Sequence, residues 1–449
     1  MADYDLVLRG GDLCFDDRTA TADLAVTDGR ISGIGPDLRG GGREEVDARG
    51  LLVVAGGVDP HVHFNAPGRT AWEGWESGSR ALLAGGFTTC LEMPLNSLPV
   101  TTDPDAFDAK RAAAERASLV DFGLFGGLVP GNLRHLPALA ARGAAGFKAF
   151  LCDSGLPDFP PVDDLTLSEG MRRCAELDSI VLVHAENQAI VAGLGRRAAE
   201  AGAGAAPAYS ASRPVAAELE AITRALFWAG ETRCRLHVVH VSTARGVLLL
   251  EEARRAGVDA SFETCPHYLL LDESDLERLG ALAKCAPPLR PAAEREALWR
   301  LLEEGRVQIL ASDHSPCPPE RKAGGLLQAW GGISGCQTTR QLLWAEGLRR
   351  GIGMTRLAAL TGAAAARRFR LPGKGRIEVG GDADLCLVDL SAEWRLQASE
   401  LRYRHPMTPF LDRPLRGRVV RAMVRGRTVL AGGDYVPGPC GRLVTPTAG

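Results

Sequence analysis

The sequence predicts an α/β protein: a (β/α)8 TIM barrel carrying a small β-sandwich built from both chain termini. Three observations lead there. Between residues 58 and 312, eight short apolar segments alternate with helical stretches, the rhythm of a parallel sheet wrapped by helices. Side chains able to bind metal close five of those eight segments, and in such barrels the chemistry sits where the strands end. Strand-like runs also recur before residue 56 and after residue 375, where neither end has enough of them to close a core of its own.

In chain order, the N-terminal runs begin at Asp5, Asp23 and Gly50, with Asp28-Gly29 as a hairpin turn between two apolar stretches. The barrel strands are expected at Val58–Phe64, Thr88–Pro94, Asp121–Leu128, Ala145–Leu151, Ile180–Ala185, Leu236–Ser242, Asp259–Thr264 and Val307–Ser312. Helices such as Ala106–Ala117, Val215–Trp228 and Ala293–Glu304 separate them. Two connections are long, Cys152 to Leu165 and Ser315 to Gly335, and loops of that length after barrel strands are usually functional covers. Further strand-like runs begin at Ala383, Arg418 and Thr428. The expected partition is 1–56 for the N-terminal part of the sandwich, 57–374 for the barrel, and 375–449 for the C-terminal part of the sandwich and the tail.

Composition narrows the functional classes. The 449 residues are 45% hydrophobic and 24% charged, as in a globular chain with a large core. A net charge of −3 provides no basic footprint for nucleic acid or an anionic membrane. No apolar run is long enough to span a bilayer, and the acid-bearing start lacks the features of a secretory signal. The eleven cysteines are scattered without a Cys-x-x-Cys pair, so neither a disulfide framework nor a structural zinc knuckle is expected. A reduced cytoplasm fits this balance best.

His61 and His63 stand two apart in one strand, so they face one side and can grip one ion. Taken alone, such a pair reads rather as two core histidines bonded to backbone. His184 and His240 at the ends of other strands shift the balance toward metal. His237 lies three residues before His240, and strand parity places it on the opposite side, away from the ligands. His267, beside Cys265, reads as structural.

Lys148, flanked by apolar residues, is either one half of an internal ion pair or a neutral amine. A neutral amine can take up carbon dioxide as a carbamate, whose two oxygens could bridge metals about 3.5–4 Å apart. Asp313 ends the last strand, where a carboxylate can bind metal and act as general base. The competing role for it is a helix N-cap, given the Ser and Pro that follow.

The stretches Gly57-Val-Asp-Pro-His-Val-His, Gly146-Phe-Lys, Val183-His-Ala-Glu-Asn, Val239-His-Val-Ser, Asp313-His-Ser and Gly375-Arg-Ile-Glu-Val-Gly-Gly-Asp-Ala-Asp-Leu together resemble the amidohydrolase superfamily. Within it they resemble the cyclic amidohydrolases: allantoinases, dihydroorotases and hydantoinases. The likeness covers essentially the whole chain. It implies that His61, His63 and Asp313 hold one divalent metal ion and that His184 and His240 hold a second. Lys148, carbamylated to N6-carboxylysine, would bridge the two together with a hydroxide. Zinc suits such ligands, although other divalent metals share the preference.

The segments from His63, Met93, Lys284, Ser312 and Ala329 resemble the allantoinase pattern most, with Ala66 departing from it where a glutamate is expected. Dihydroorotases carry an arginine two residues after the second histidine, to hold a substrate carboxylate. Here that position is Asn65, which suits a neutral ureide. The implied reaction is hydrolysis of the ring amide of allantoin to allantoate, with Asp313 moving the proton. Alternatives are a hydantoinase or dihydropyrimidinase, a dihydroorotase, and a metal-free scaffold homologue. Expected substrate contacts are Asn65, Asn96, Cys285, Ala286 and Ser315. Arg69 either pairs with Glu73 or reaches substrate. The resemblance also implies a homo-oligomer, a tetramer.

Overall fold

The computed structural model describes residues 2–202 and 204–448. Eight barrel strands appear where the alternation places them: Gly57–Val62, Phe87–Glu92, Asp121–Leu124 continued by Gly126–Gly127, Phe147–Phe150, Ile180–His184, Arg235–Val238, Ala260–Thr264 and Ile309–Leu310. All ladders between them are parallel. The third strand is interrupted at Phe125, whose N–H still reaches Glu92 O at 3.0 Å, and a bridge from Val62 to His314 closes the ring. Several strands are shorter than expected because their last residues turn out of the ladder to form the mouth.

The barrel interior is filled rather than hollow. Leu91, Phe125, Leu182, Val239 and Ile309 pack there, and Phe369 joins them from below, 5.5 Å from Phe125. Val181, Val183, Leu236 and Val238 alternate with these and pack outward against the helices. Each fully buried side chain of this kind contributes about 1.5–3 kcal/mol, so the strand period itself drives which face turns inward. Helices Pro104–Ala117, Val215–Thr232 and Ala292–Glu303 confirm the three expected from the sequence. The first opens with Asp103 accepting from Ala106 N–H and with Pro104 in the first turn.

The flanking β-structure is one nine-stranded sheet drawn from both ends of the chain. Leu385–Val388 pairs antiparallel with Leu52–Ala55, joining the C-terminal strands to the N-terminal ones. The sheet folds over its own core, which includes Leu8, Val26, Val53, Leu387 and Met423. Its edge strand Arg30–Gly35 returns to bond Gly381 through Ile31 N–H. The Asp28-Gly29 turn takes φ of 50° and 75°, which a two-residue hairpin needs and which Gly29 tolerates freely. The tail leaves this sheet: Cys440 donates to Ser118 O, and Val444 to Phe122 O at 2.8 Å, against the third barrel strand. Among the described residues no helix is long and apolar enough to cross a membrane.

Candidate metal centre and active-site cavity

A cavity of 510 Å³ opens at the C-terminal ends of the barrel strands, a size suited to one small molecule. His61, His63, His184, His240 and Asp313 line its floor. Lys148 Nζ lies just beneath, fully buried and without a hydrogen-bond partner among the described residues. One ligand atom from each of His61, His63 and Asp313 falls within 4.8 Å of the others. Asp313 Oδ1 is 3.2 Å from His61 Nε2 and 3.7 Å from His63 Nε2. Opposite them, His184 Nδ1 and His240 Nε2 face each other at 3.1 Å.

The far side of each ring shows which nitrogen is aimed inward. His61 Nδ1 contacts Glu263 Oε1 at 2.5 Å, His63 Nδ1 donates to Leu95 O at 2.8 Å, and His184 Nε2 meets Glu186 Oε2 at 2.7 Å. These contacts fix tautomer and ring orientation, as the outer partners of metal-binding histidines do. Arg213 in turn pairs with Glu186. Burial alone would raise the Glu186 carboxyl, but the Arg213 charge prevails and holds it at about 2.

Electrostatics suit cations. Burial pulls His63 and His240 well below the usual histidine range, which keeps their rings neutral and able to donate a lone pair. Burial also draws the Lys148 ammonium down to about 7, against the opposing pull of Glu263 and Asp313. The donor set therefore fits divalent metal ions. It offers imidazoles and a carboxylate from one side, two facing imidazoles from the other, and a buried amine without a hydrogen-bond partner among the described residues.

The amidohydrolase family profile matches residues 52–429. The chain belongs to the amidohydrolase family. It is 56% identical to an allantoinase of Rubrobacter xylanophilus over 448 residues, 99% of this chain and 98% of that one. It is 51% identical to an allantoinase of Solibacter usitatus, covering 98% of this chain and 97% of that one. Among solved structures, the L-hydantoinase (dihydropyrimidinase) from Arthrobacter aurescens matches with a TM-score of 0.95 at 37% identity, over 98% of this chain and 100% of that one. Divalent metal ions are the cofactors this family implies.

Three details of this amidohydrolase differ from what spacing along the strand suggests. His237 lies outside the candidate ligand groups, but it does not face away. It shares the inward face with Lys148 and Leu182 and binds Ser261 Oγ at 2.7 Å and Glu263 Oε2 at 3.1 Å. His240 reaches the same interior because its backbone turns left-handed, with φ of 41°, which breaks the alternation after Val239. Asp313 likewise has φ of 45° and starts no helix, so the capping role does not apply. His267 is buried against Tyr268, outside the ligand groups.

The substrate-side residues divide. Asn96, Cys285, Ala286 and Ser315 line the cavity. Asn65 does not: fully buried, its Oδ1 accepts from Asn96 Nδ2 at 3.0 Å and its Nδ2 donates to Pro316 O at 3.3 Å. Arg69 lines the cavity and donates to Asn96 O at 2.6 Å rather than pairing with Glu73, which instead accepts from Arg404 N–H. Both long loops contribute wall, through Asp153–Leu156 and Leu327–Gly332.

Sequence reasoning passed over Glu263, Glu186 and Arg213. A glutamate inside the apolar strand Ala260–Thr264 was the available signal for the first, and the two-residue step from His184 for the second. The segment after the fifth strand, with helices Gln188–Glu200 and Ala206–Ser212, was also not expected to line the site, yet Gln188 and Tyr209 do.

Proposed function

We propose that this protein hydrolyses the five-membered ring amide of allantoin to give allantoate. The observation that carries the substrate is the 56% identity, across nearly the full length of both chains, to a protein named allantoinase. The convergence of four histidines, Asp313 and Lys148 on one cavity supports the reaction type. On this reading His61, His63 and Asp313 hold one divalent ion, and His184 and His240 hold the other. Bound there, such ions polarise the scissile carbonyl and make water a nucleophile near neutral pH.

Lys148 supplies the remaining anion. Its neutral amine would add to carbon dioxide with loss of one proton, and the resulting carbamate would offer two anionic oxygens as further metal ligands. Among the described residues none hydrogen-bonds Nζ, which supports this use of it. Asp313, facing both His61 and His63, accepts a proton from the attacking water and returns it to the departing ring nitrogen. Asn96, Ser315 and the Cys285–Ala286 backbone orient the ring amide from the cavity wall; Asn65 acts through Asn96.

Zinc as the metal rests on ligand chemistry. A cytoplasmic site of action rests on composition, and a homotetramer on family resemblance. The test is direct: purified protein supplied with zinc and bicarbonate should convert allantoin to allantoate, lose activity to a chelator and regain it with metal. Absence of allantoate under those conditions would overturn the assignment. The TM-score of 0.95 against an L-hydantoinase favours a second reading, hydantoinase or dihydropyrimidinase activity at the same centre. A panel including hydantoin and dihydrouracil separates the two.

A further inference from the structure

The outer wall of the cavity carries a group of side chains that the hydrolytic centre does not use. Arg69 follows the first barrel strand and Arg321 follows the last. Their guanidinium carbons lie over the Trp72 ring, 5.5 and 5.4 Å from its centre. Trp330 meets the same indole edge-on at 5.0 Å between centroids, and its backbone N–H donates to the Arg321 carbonyl at 2.8 Å. All four residues line the cavity.

Their pairing differs from that of the other arginine on the wall. Arg213, the third arginine lining it, is paired with Glu186. Arg69 and Arg321 have no carboxylate within ion-pair reach among the described residues. Arg69 uses one N–H on Asn96 O and keeps the rest of its fork free. Three of the four are also more open to solvent than the ligands, while Trp72 is buried beneath them. The floor histidines are buried, Arg69 and Trp330 are half-buried, and Arg321 is exposed.

We propose that Arg69 and Arg321, seated on Trp72, form the subsite that reads the exocyclic ureido group of the substrate. The proposal rests on the allantoin reading above. The ring amide must lie at the floor to be cut, which leaves the exocyclic arm to point up the wall. A ureido group is planar and neutral, with a strongly accepting carbonyl. A free guanidinium donates to that carbonyl, and the Trp72 ring beneath holds both guanidiniums in place for it. The 510 Å³ of the cavity leaves room for such an arm beyond the ring. A substrate lacking the arm leaves both arginines without a partner, and polar groups left idle in this way discriminate strongly.

The test compares allantoin with hydantoin, which has the ring but no arm, on metal-loaded full-length protein. Hydantoin is followed as a substrate, or as a competitive inhibitor if it is not turned over. Arg321→Met is the first variant, because the side chain is exposed and its removal leaves the loop's backbone bonds in place. Arg69→Met is the second. Each should lower kcat/KM for allantoin by about tenfold to a hundredfold, the range for hydrogen bonds to charged groups. The loss on allantoin should exceed any loss on hydantoin by about tenfold, with metal content and melting temperature at wild-type values. Equal losses on both ligands, or no loss on allantoin, would overturn the subsite. Wild-type protein that opens hydantoin but not allantoin would instead sink the allantoin reading itself.

Discussion

Glu263 Oε1 lies 2.5 Å from His61 Nδ1, while its second oxygen lies 3.1 Å from His237 Nε2. One carboxylate thus anchors the ring of a candidate ligand to a second, buried histidine beneath it. Burial would raise the Glu263 carboxyl, but His61 and His237 hold it well below the usual carboxylate range, so it stays an anion and keeps His61 Nε2 turned toward Asp313.

Glu263→Gln should therefore weaken the centre without touching substrate. A carboxamide has one acceptor oxygen and cannot accept from both imidazoles at once. Metal affinity should fall by about tenfold to a hundredfold, the usual cost of losing an outer partner. Competition against a fluorescent chelator measures this, and wild-type affinity in the variant would show that His61 needs no such anchor.

Lys148→Ala should lose bound metal and nearly all activity, because the amine that would carry the carbamate is gone. A short-chain carboxylic acid in the buffer should restore part of both by filling the vacated space. Lys148→Arg should not recover, since a guanidinium stays protonated at any working pH and would place positive charge between cations. Full activity in Lys148→Arg, or an unmodified lysine mass in fully active enzyme under carbamate-preserving conditions, contradicts the assigned role.

Asn96→Ala should raise KM by about twofold to tenfold, the span of one neutral hydrogen bond, while metal content stays constant. Asn65→Ala should move KM the same way by less, because Asn65 lies outside the cavity and only supplies the acceptor that orients Asn96 Nδ2. Steady-state kinetics paired with elemental analysis distinguishes the outcomes. Loss of metal from Asn96→Ala would mean that the residue supports the ligands rather than the substrate.

A stability prediction concerns the floor of the barrel. Lys374 Nζ is buried 2.5 Å from Asp121, 2.9 Å from Asp382 and 2.8 Å from Asp384, tying the third barrel strand to the lead-in of the sheet strand Leu385–Arg395. Removing the cation leaves buried Asp384 with the Arg425 backbone N–H but no cation, although Asp121 keeps the Arg425 guanidinium, so Lys374→Met should cost about 3–5 kcal/mol. Denaturant unfolding reads this directly, and an unshifted midpoint would show that the acids find other partners.

The strand pattern, the His-x-His pair and the placement of Lys148 and His184 were legible in the sequence because each depends on spacing within one short strand. Side chains two apart share a face, and that rule needs no knowledge of neighbours. The same rule failed at His237 and His240, since a left-handed residue at the strand end turns the chain in a way composition does not announce. Asn65 was misplaced for a related reason: its own backbone has φ of 63°, which swings the side chain behind Asn96.

What the sequence alone determined is therefore the architecture and the kind of chemistry: a barrel from its alternation, and a metal-binding mouth from the donors at its strand ends. What only the tertiary structure decided is who holds those donors and what they face. Glu263 lies 202 residues from His61, Arg213 lies 27 from Glu186, and Arg321 meets Trp72 because the last barrel strand closes beside the first. A parallel barrel brings such residues together through crossover connections, so contacts across strands follow from closing the ring and not from any local period.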